Sequence, residues 1–193
     1  YLQLHQENAS VRRNKWFLMQ ADLEAGAKWK NLLVLTTFGQ EKTAQGERYK
    51  FRKAAAVVSF NESATLKVGR SQPNLGLMLS EHFLSARSDS GLGPLEMRDL
   101  AEVQANFENF GVVAGVEQTP YERKTLTSAE RGFYIQGDYI FDTFKVGLHY
   151  WNRRSDIFTK ERYGLHSLLG ISKSVALLTD LQFQQDLQIG QER

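Results

Sequence analysis

The stretch from Phe133 to Tyr150 restricts the fold more than any other part of the chain. Phe133, Ile135, Tyr139 and Phe141 alternate with Tyr134, Gln136 and Asp138. Asp142-Thr143 then interrupts the run, and Phe144, Val146, Leu148 and Tyr150 alternate with Lys145 and His149. Successive side chains on a strand point to opposite faces, so this is a hairpin with one greasy ribbon and one charged ribbon. The apolar face must lie against something apolar. The same alternation recurs along nearly the whole chain, and no stretch holds a helical period long enough to supply a covering layer. A sheet curved into a barrel, with lipid outside and water inside, satisfies the pattern.

Composition is compatible with that solution. Of the 193 residues, 41% are hydrophobic and 24% charged, an average that looks soluble but also arises when only alternate strand residues meet lipid. The longest apolar runs are short, such as Ala54-Ala55-Ala56-Val57-Val58. A spanning helix needs roughly 20 apolar residues, so a helical membrane protein is excluded. A net charge of +2 is too small to point to nucleic acid. The absence of cysteine excludes a disulfide framework and thiolate metal sites.

Five hairpins are predicted. The first pairs Trp16 to Glu24 with Trp29 to Phe38 around Ala25-Gly26-Ala27. The second runs from about Tyr49 to Phe60, turns at Asn61-Glu62-Ser63 and returns to Ser71. A change of parity between Phe51 and Val58 predicts a bulge near Arg52-Lys53. The third joins Ala101–Glu108 to Phe110–Glu117, the fourth is the one described above, and the fifth turns at Ser172-Lys173-Ser174. With a leading strand at Tyr1–His5, about eleven strands are expected. A short helix fits only between Gly76 and Arg87. The strand pattern at both ends, the odd count and the non-aromatic ending Gln191-Glu192-Arg193 predict that residues 1–193 form either one barrel domain or part of a larger one.

The connections are expected to alternate, with tight turns at one end and longer polar links at the other: Gly39 to Arg48, Gln72 to Leu100, Thr119 to Arg131 and Asn152 to Arg162. Aromatic residues gather at both strand ends. Trp29, Phe60, Phe107, Phe110, Phe141 and Phe144 lie near the tight turns; Trp16, Phe17, Phe38, Tyr49, Phe51, Phe133, Tyr150 and Tyr163 lie near the long links. Tight turns, long loops and two aromatic girdles are the layout of bacterial outer-membrane barrels. The fold class expected is therefore all-β, an antiparallel up-and-down transmembrane β-barrel of about 10 to 12 strands in the bacterial outer membrane.

The segment Leu66-Lys67-Val68-Gly69-Arg70-Ser71-Gln72-Pro73-Asn74-Leu75-Gly76-Leu77 resembles one common in Gram-negative porins, in which such a strand leads into a loop containing Pro and Gly. Gly132-Phe133-Tyr134-Ile135-Gln136-Gly137-Asp138-Tyr139 is similar to a strand of the phosphate-selective porin group, whose members are longer barrels with more strands. The resemblance implies a channel for passive diffusion of small hydrophilic solutes or ions. It also implies that the loop from Gln72 to Leu100 folds into the lumen, with Glu81, Arg87 and Arg98 at the constriction.

Strand parity assigns Lys50, Arg52, Lys67, Glu102, Asp138, Lys145, His149 and Asp180 to the pore lining. Charges on that face need water or partners, because an unpaired charge in an apolar space is very costly. Lys50, Arg52, Lys67 and Arg70 lie toward the long-loop side, where they would attract anions, while Glu102, Asp138 and Asp180 oppose them. The alternative is a plugged lumen whose charges pair with one another, in a barrel that acts as a scaffold or docks partners. His149 and His166 are expected to face the lumen on neighbouring strands close to Asp138. A polar lining explains that nearness, so the chain is not expected to be an enzyme. His82 beside Glu81 makes no metal site, and no cofactor is implied. The expected partners are outer-membrane lipid and lipopolysaccharide at charged tips such as Arg12-Arg13, Glu122-Arg123-Lys124 and Asn152-Arg153-Arg154-Ser155-Asp156, together with further copies of the chain or other envelope proteins.

Overall fold

The computed structural model describes residues 22–43, 46–76, 97–120, 129–172 and 175–188. Every regular element among them is a strand: β1 (Asp22–Trp29), β2 (Leu32–Thr43), β3 (Gly46–Ser59), β4 (Ala64–Ser71), β5 (Arg98–Phe107), β6 (Phe110–Gln118), β7 (Arg131–Ile140), β8 (Phe144–Arg154), β9 (Phe158–Ser172) and β10 (Val175–Gln188). They form one ten-stranded sheet in sequence order, and all neighbouring pairs are antiparallel. This is the up-and-down wall of a transmembrane β-barrel. Among the described residues the sheet is open between β1 and β10. The expected leading strand at Tyr1–His5, the helix between Gly76 and Arg87 and the residues Trp16 and Phe17 lie outside the described residues.

The sheet is inside-out relative to a soluble protein. Phe133, Ile135, Tyr139, Leu148, Tyr163, Leu181 and Phe183 are exposed, whereas Tyr134, Gln136, Asp138, His149, Arg153, Arg162 and His166 are buried. Phe38 contacts Phe51. Phe133, Tyr150 and Tyr163 form a ring ladder across β7, β8 and β9, with centroids 5.8 and 4.9 Å apart. Phe141 lies 5.8 Å from Phe144 at the opposite end. Two aromatic girdles thus bracket an apolar band on the convex face, which meets lipid in an outer-membrane barrel.

The predicted bulge is present. Thr37 pairs with Lys53 and Phe38 with Phe51, leaving Arg52 as the extra residue. It lets Phe51 face outward while Arg52 turns in and is buried. The first hairpin differs from expectation: its turn is Lys30-Asn31, not Ala25-Gly26-Ala27. Lys30 adopts a positive φ of 53°, and Asn31 donates from Nδ2 to the Ser59 carbonyl at the end of β3 at 3.1 Å, which ties the turn to the neighbouring strand. The link alternation is only partial. β2 and β3 extend to Thr43 and Gly46, and β8 and β9 to Arg154 and Phe158, so two of the expected long polar loops are instead tall strands.

Residues 72–76 turn inward from the end of β4. The Asn74 amide donates to Glu102 Oε2 on β5 at 2.8 Å, and the Gly76 amide to Gln136 Oε1 on β7 at 2.6 Å. A Cβ at Gly76 would lie 3.4 Å from Asp180 Oδ2 on β10. In a flat sheet β5 and β10 would stand about 24 Å apart at about 4.8 Å per strand. Asn74 and Gly76 span at most about 7 Å. One short segment touches both regions because the sheet curls around it.

Candidate functional site in the lumen

The inward face of β4 to β10 carries two polar clusters. The central one is built on Glu102, which is almost fully buried. Lys67 on β4 pairs with its Oε1 at 2.8 Å, and the Tyr134 hydroxyl on β7 donates to Oε2 at 2.6 Å. Lys67 also donates to the Gln72 carbonyl at 3.0 Å. The Asn74 and Gly76 amides bridge Glu102 to Gln136, and Gln136 Nε2 donates to Asp138 Oδ2 at 2.9 Å. Lys145 pairs with the same Asp138 oxygen at 3.1 Å, and His166 Nε2 lies 2.8 Å from Oδ1. An ionised carboxylate only accepts, so Nε2 of His166 carries the shared proton when Asp138 is charged. The His149 and His166 rings stack with centroids 5.8 Å apart.

Glycines make room for these groups. Gly147 sits opposite both Asp138 on β7 and His166 on β9. A Cβ there would collide with both side chains, and one at Gly164 would collide with the His149 ring. The imidazoles therefore lie against bare backbone instead of projecting into the lumen.

The second cluster lies toward the loop end. Glu117 on β6 accepts from Arg153 Nε at 2.5 Å and from Trp151 Nε1 at 2.8 Å. The Arg153 guanidinium lies 3.3 Å from the Trp151 ring centroid, and that of Arg162 lies 4.7 Å away. Glu130 receives Arg98 at 3.1 Å, Lys160 at 3.4 Å and Arg153 at 3.6 Å. Arg98 also donates to Thr119 Oγ1 at 2.8 Å. Asp186 on β10 lies opposite Lys160 on the same face, so four cations are set among three carboxylates and one indole. Among the described residues no three His, Asp or Glu side chains converge as metal ligands would.

Lys67, Glu102, Asp138, Lys145 and His149 all belong to the central network. Asp180 borders it, lying opposite His166 in the β9–β10 register. Arg52 is buried at the bulge. Lys50 lies on β3, but its side chain is outside the described residues, as are Glu81 and Arg87 altogether. Arg98 is the first residue of β5 and not part of the connection. Arg70 does not face the lumen: it pairs outside with Asp99 at 3.0 Å. Sequence reasoning took Arg153 for an exposed tip and passed over Glu117, Glu130, Lys160 and Arg162. Continuing the alternation finds most of them, since Arg153 shares its face with Lys145 and His149, and Lys160 and Arg162 share theirs with His166.

No family model matches the chain, and no curated protein matches it. Among solved structures it is similar to "Outer-membrane expressed OmpT of Vibrio cholerae", at 10% identity and a TM-score of 0.43, over 88% of this chain and 68% of that one. The expectation that the chain is not an enzyme is corrected. It rested on Asp138, His149 and His166 being merely near one another in a polar lining. The acid–imidazole contact between Asp138 and His166 is direct and buried, a pairing that acid–base chemistry also employs.

Proposed function

We propose that this chain forms the wall of a water-filled outer-membrane channel that passes small hydrophilic solutes by diffusion. The observation that carries this is the group Arg98, Arg153, Lys160 and Arg162 on the inward face of β5, β8 and β9, four cations set among Glu117, Glu130 and Asp186. Inward cations in excess of their carboxylates give a lumen a standing positive field, which favours anions. The stretch from Gly132 to Tyr139, which resembles a strand of the phosphate-selective porin group, supports the same preference. Residues 72–76, folded against Glu102 and Gln136, would narrow the passage at the start of the long link.

A second reading has its own support. Leu75 is fully buried with Val113, Tyr134 and Trp151, a dry plug-like cluster that suits a non-conducting scaffold. Recording from the purified protein in a planar bilayer separates the two. Stepwise openings with an anion-selective reversal potential are expected of the channel. A folded, heat-modifiable protein that stays electrically silent would support the scaffold.

A further inference from the structure

Arg131 and Arg154 are direct cross-strand partners on β7 and β8. Both are exposed, and both share the outward parity of Phe133 and Asn152. Like charges placed opposite each other destabilise a strand pair, so the arrangement needs an anion to offset it. The two arginines lie one outward step beyond Phe133 and Asn152, about 7 Å along the strand, and therefore just past the ladder of Phe133, Tyr150 and Tyr163. In a membrane barrel that is the level of lipid headgroups. Arg131 and Arg154 line one cleft with Gln118, Ala129 and Asp156. Glu130 borders the same cleft, but its carboxylate is taken by Arg98, Arg153 and Lys160. Asp156 is then set against two guanidinium groups. Directly below, Val68, Ala101, Val116 and Phe133 line an outward apolar groove that Arg131 closes at its upper end.

We infer that this patch is a lipid site, with a phosphate held by the guanidinium groups of Arg131 and Arg154 and an acyl chain laid in the groove. Arginine forks match phosphate oxygens in bidentate fashion. The site lies at the end of the wall bearing the long links 72–97 and 119–130, the end that faces outward in such barrels. The lipid is accordingly the phosphorylated lipid A of the outer leaflet. The inference rests on the membrane wall and is independent of whether the lumen conducts.

Detergent-purified protein titrated with lipid A, with dephosphorylated lipid A and with inorganic phosphate tests it, read by native mass spectrometry and by the unfolding temperature. Lipid A should be retained and should raise the unfolding temperature, while the other two should do neither. The double variant R131Q/R154Q should weaken lipid A retention at least tenfold, and K30Q, which removes a cation at the opposite end, should leave it unchanged. Heat-modifiability on gels checks that each variant is folded. Equal retention of dephosphorylated lipid, an equal response to free phosphate, or undiminished binding by a folded R131Q/R154Q would each overturn the assignment.

Discussion

Gly115 on β6 lies directly opposite Tyr134 on β7, and the phenol ring lies so flat over the glycine that a Cβ there would collide with it. The ring is held down by its hydroxyl bond to Glu102. One missing side chain thus sets where a buried carboxylate finds its donor, and it links the packing of the wall to the polar network inside it.

Replacing Gly115 with valine should lift the Tyr134 ring and lengthen its bond to Glu102. Overpacking of this kind costs about 1 to 3 kcal/mol. Urea unfolding in lipid vesicles should show that loss for G115V, and combining it with Y134F should give less than the sum of the two single losses, because both act on one contact.

The two faces of the wall should respond oppositely to charge. Leu148 is exposed on the outward face near the middle of β8. Arginine there should cost about 2 to 4 kcal/mol in vesicles. Arginine at Gln182, on the inward parity of β10 opposite Gly164 and beside Asp180, should be close to neutral. Equal losses at the two positions would show that the outward face does not meet lipid.

Lys67 and Glu102 should prove strongly coupled. K67M leaves Glu102 buried without its cation, and breaking one side of a buried pair costs about 3 to 5 kcal/mol. E102Q in the same background should recover much of that loss, with the Tyr134 and Asn74 donors still in place. A double-mutant cycle by urea unfolding measures the coupling.

Glu130 holds Arg98, Arg153 and Lys160 together. E130Q should free positive charge at the loop end and move the bilayer reversal potential toward greater anion preference. R153Q should move it the other way. Reversal potentials unchanged in both variants would remove this cluster from the conduction path.

Gln136 anchors residues 72–76 through the Gly76 amide. Gly76 has a φ of 69°, a left-handed conformation that costs a non-glycine residue roughly 1 kcal/mol. Q136L should loosen the segment and raise single-channel conductance or flicker, and G76V should do the same through backbone strain. Conductance identical to the parent in both variants would mean that this segment does not narrow the passage.

Much of the architecture is legible in the sequence. The faces of β7 and β8 follow from Phe133 to Tyr150 alone, and the bulge at Arg52 follows from the parity change after Phe51. The first hairpin was not legible in the same way, because Leu32-Leu33-Val34-Leu35 has no alternation to set its facing. Gly26 looked like a turn residue, whereas it lies mid-strand opposite Leu35. The loop-end cluster was missed because Arg153 and Arg162 sit in stretches that read as polar links. In the fold those links are strands, and alternation continues through them.

The order of apolar and polar residues by itself determined that this chain is a series of antiparallel strands with one greasy and one charged face, since side-chain direction along a strand has a period of two. Only the tertiary structure decided which inward charges meet. Pairings such as Asp138 with His166, Arg153 with Glu117 and Gly76 with Gln136 depend on register between strands and on the curl of the sheet. Both arise from contacts between residues distant in the chain, which local periodicity does not encode.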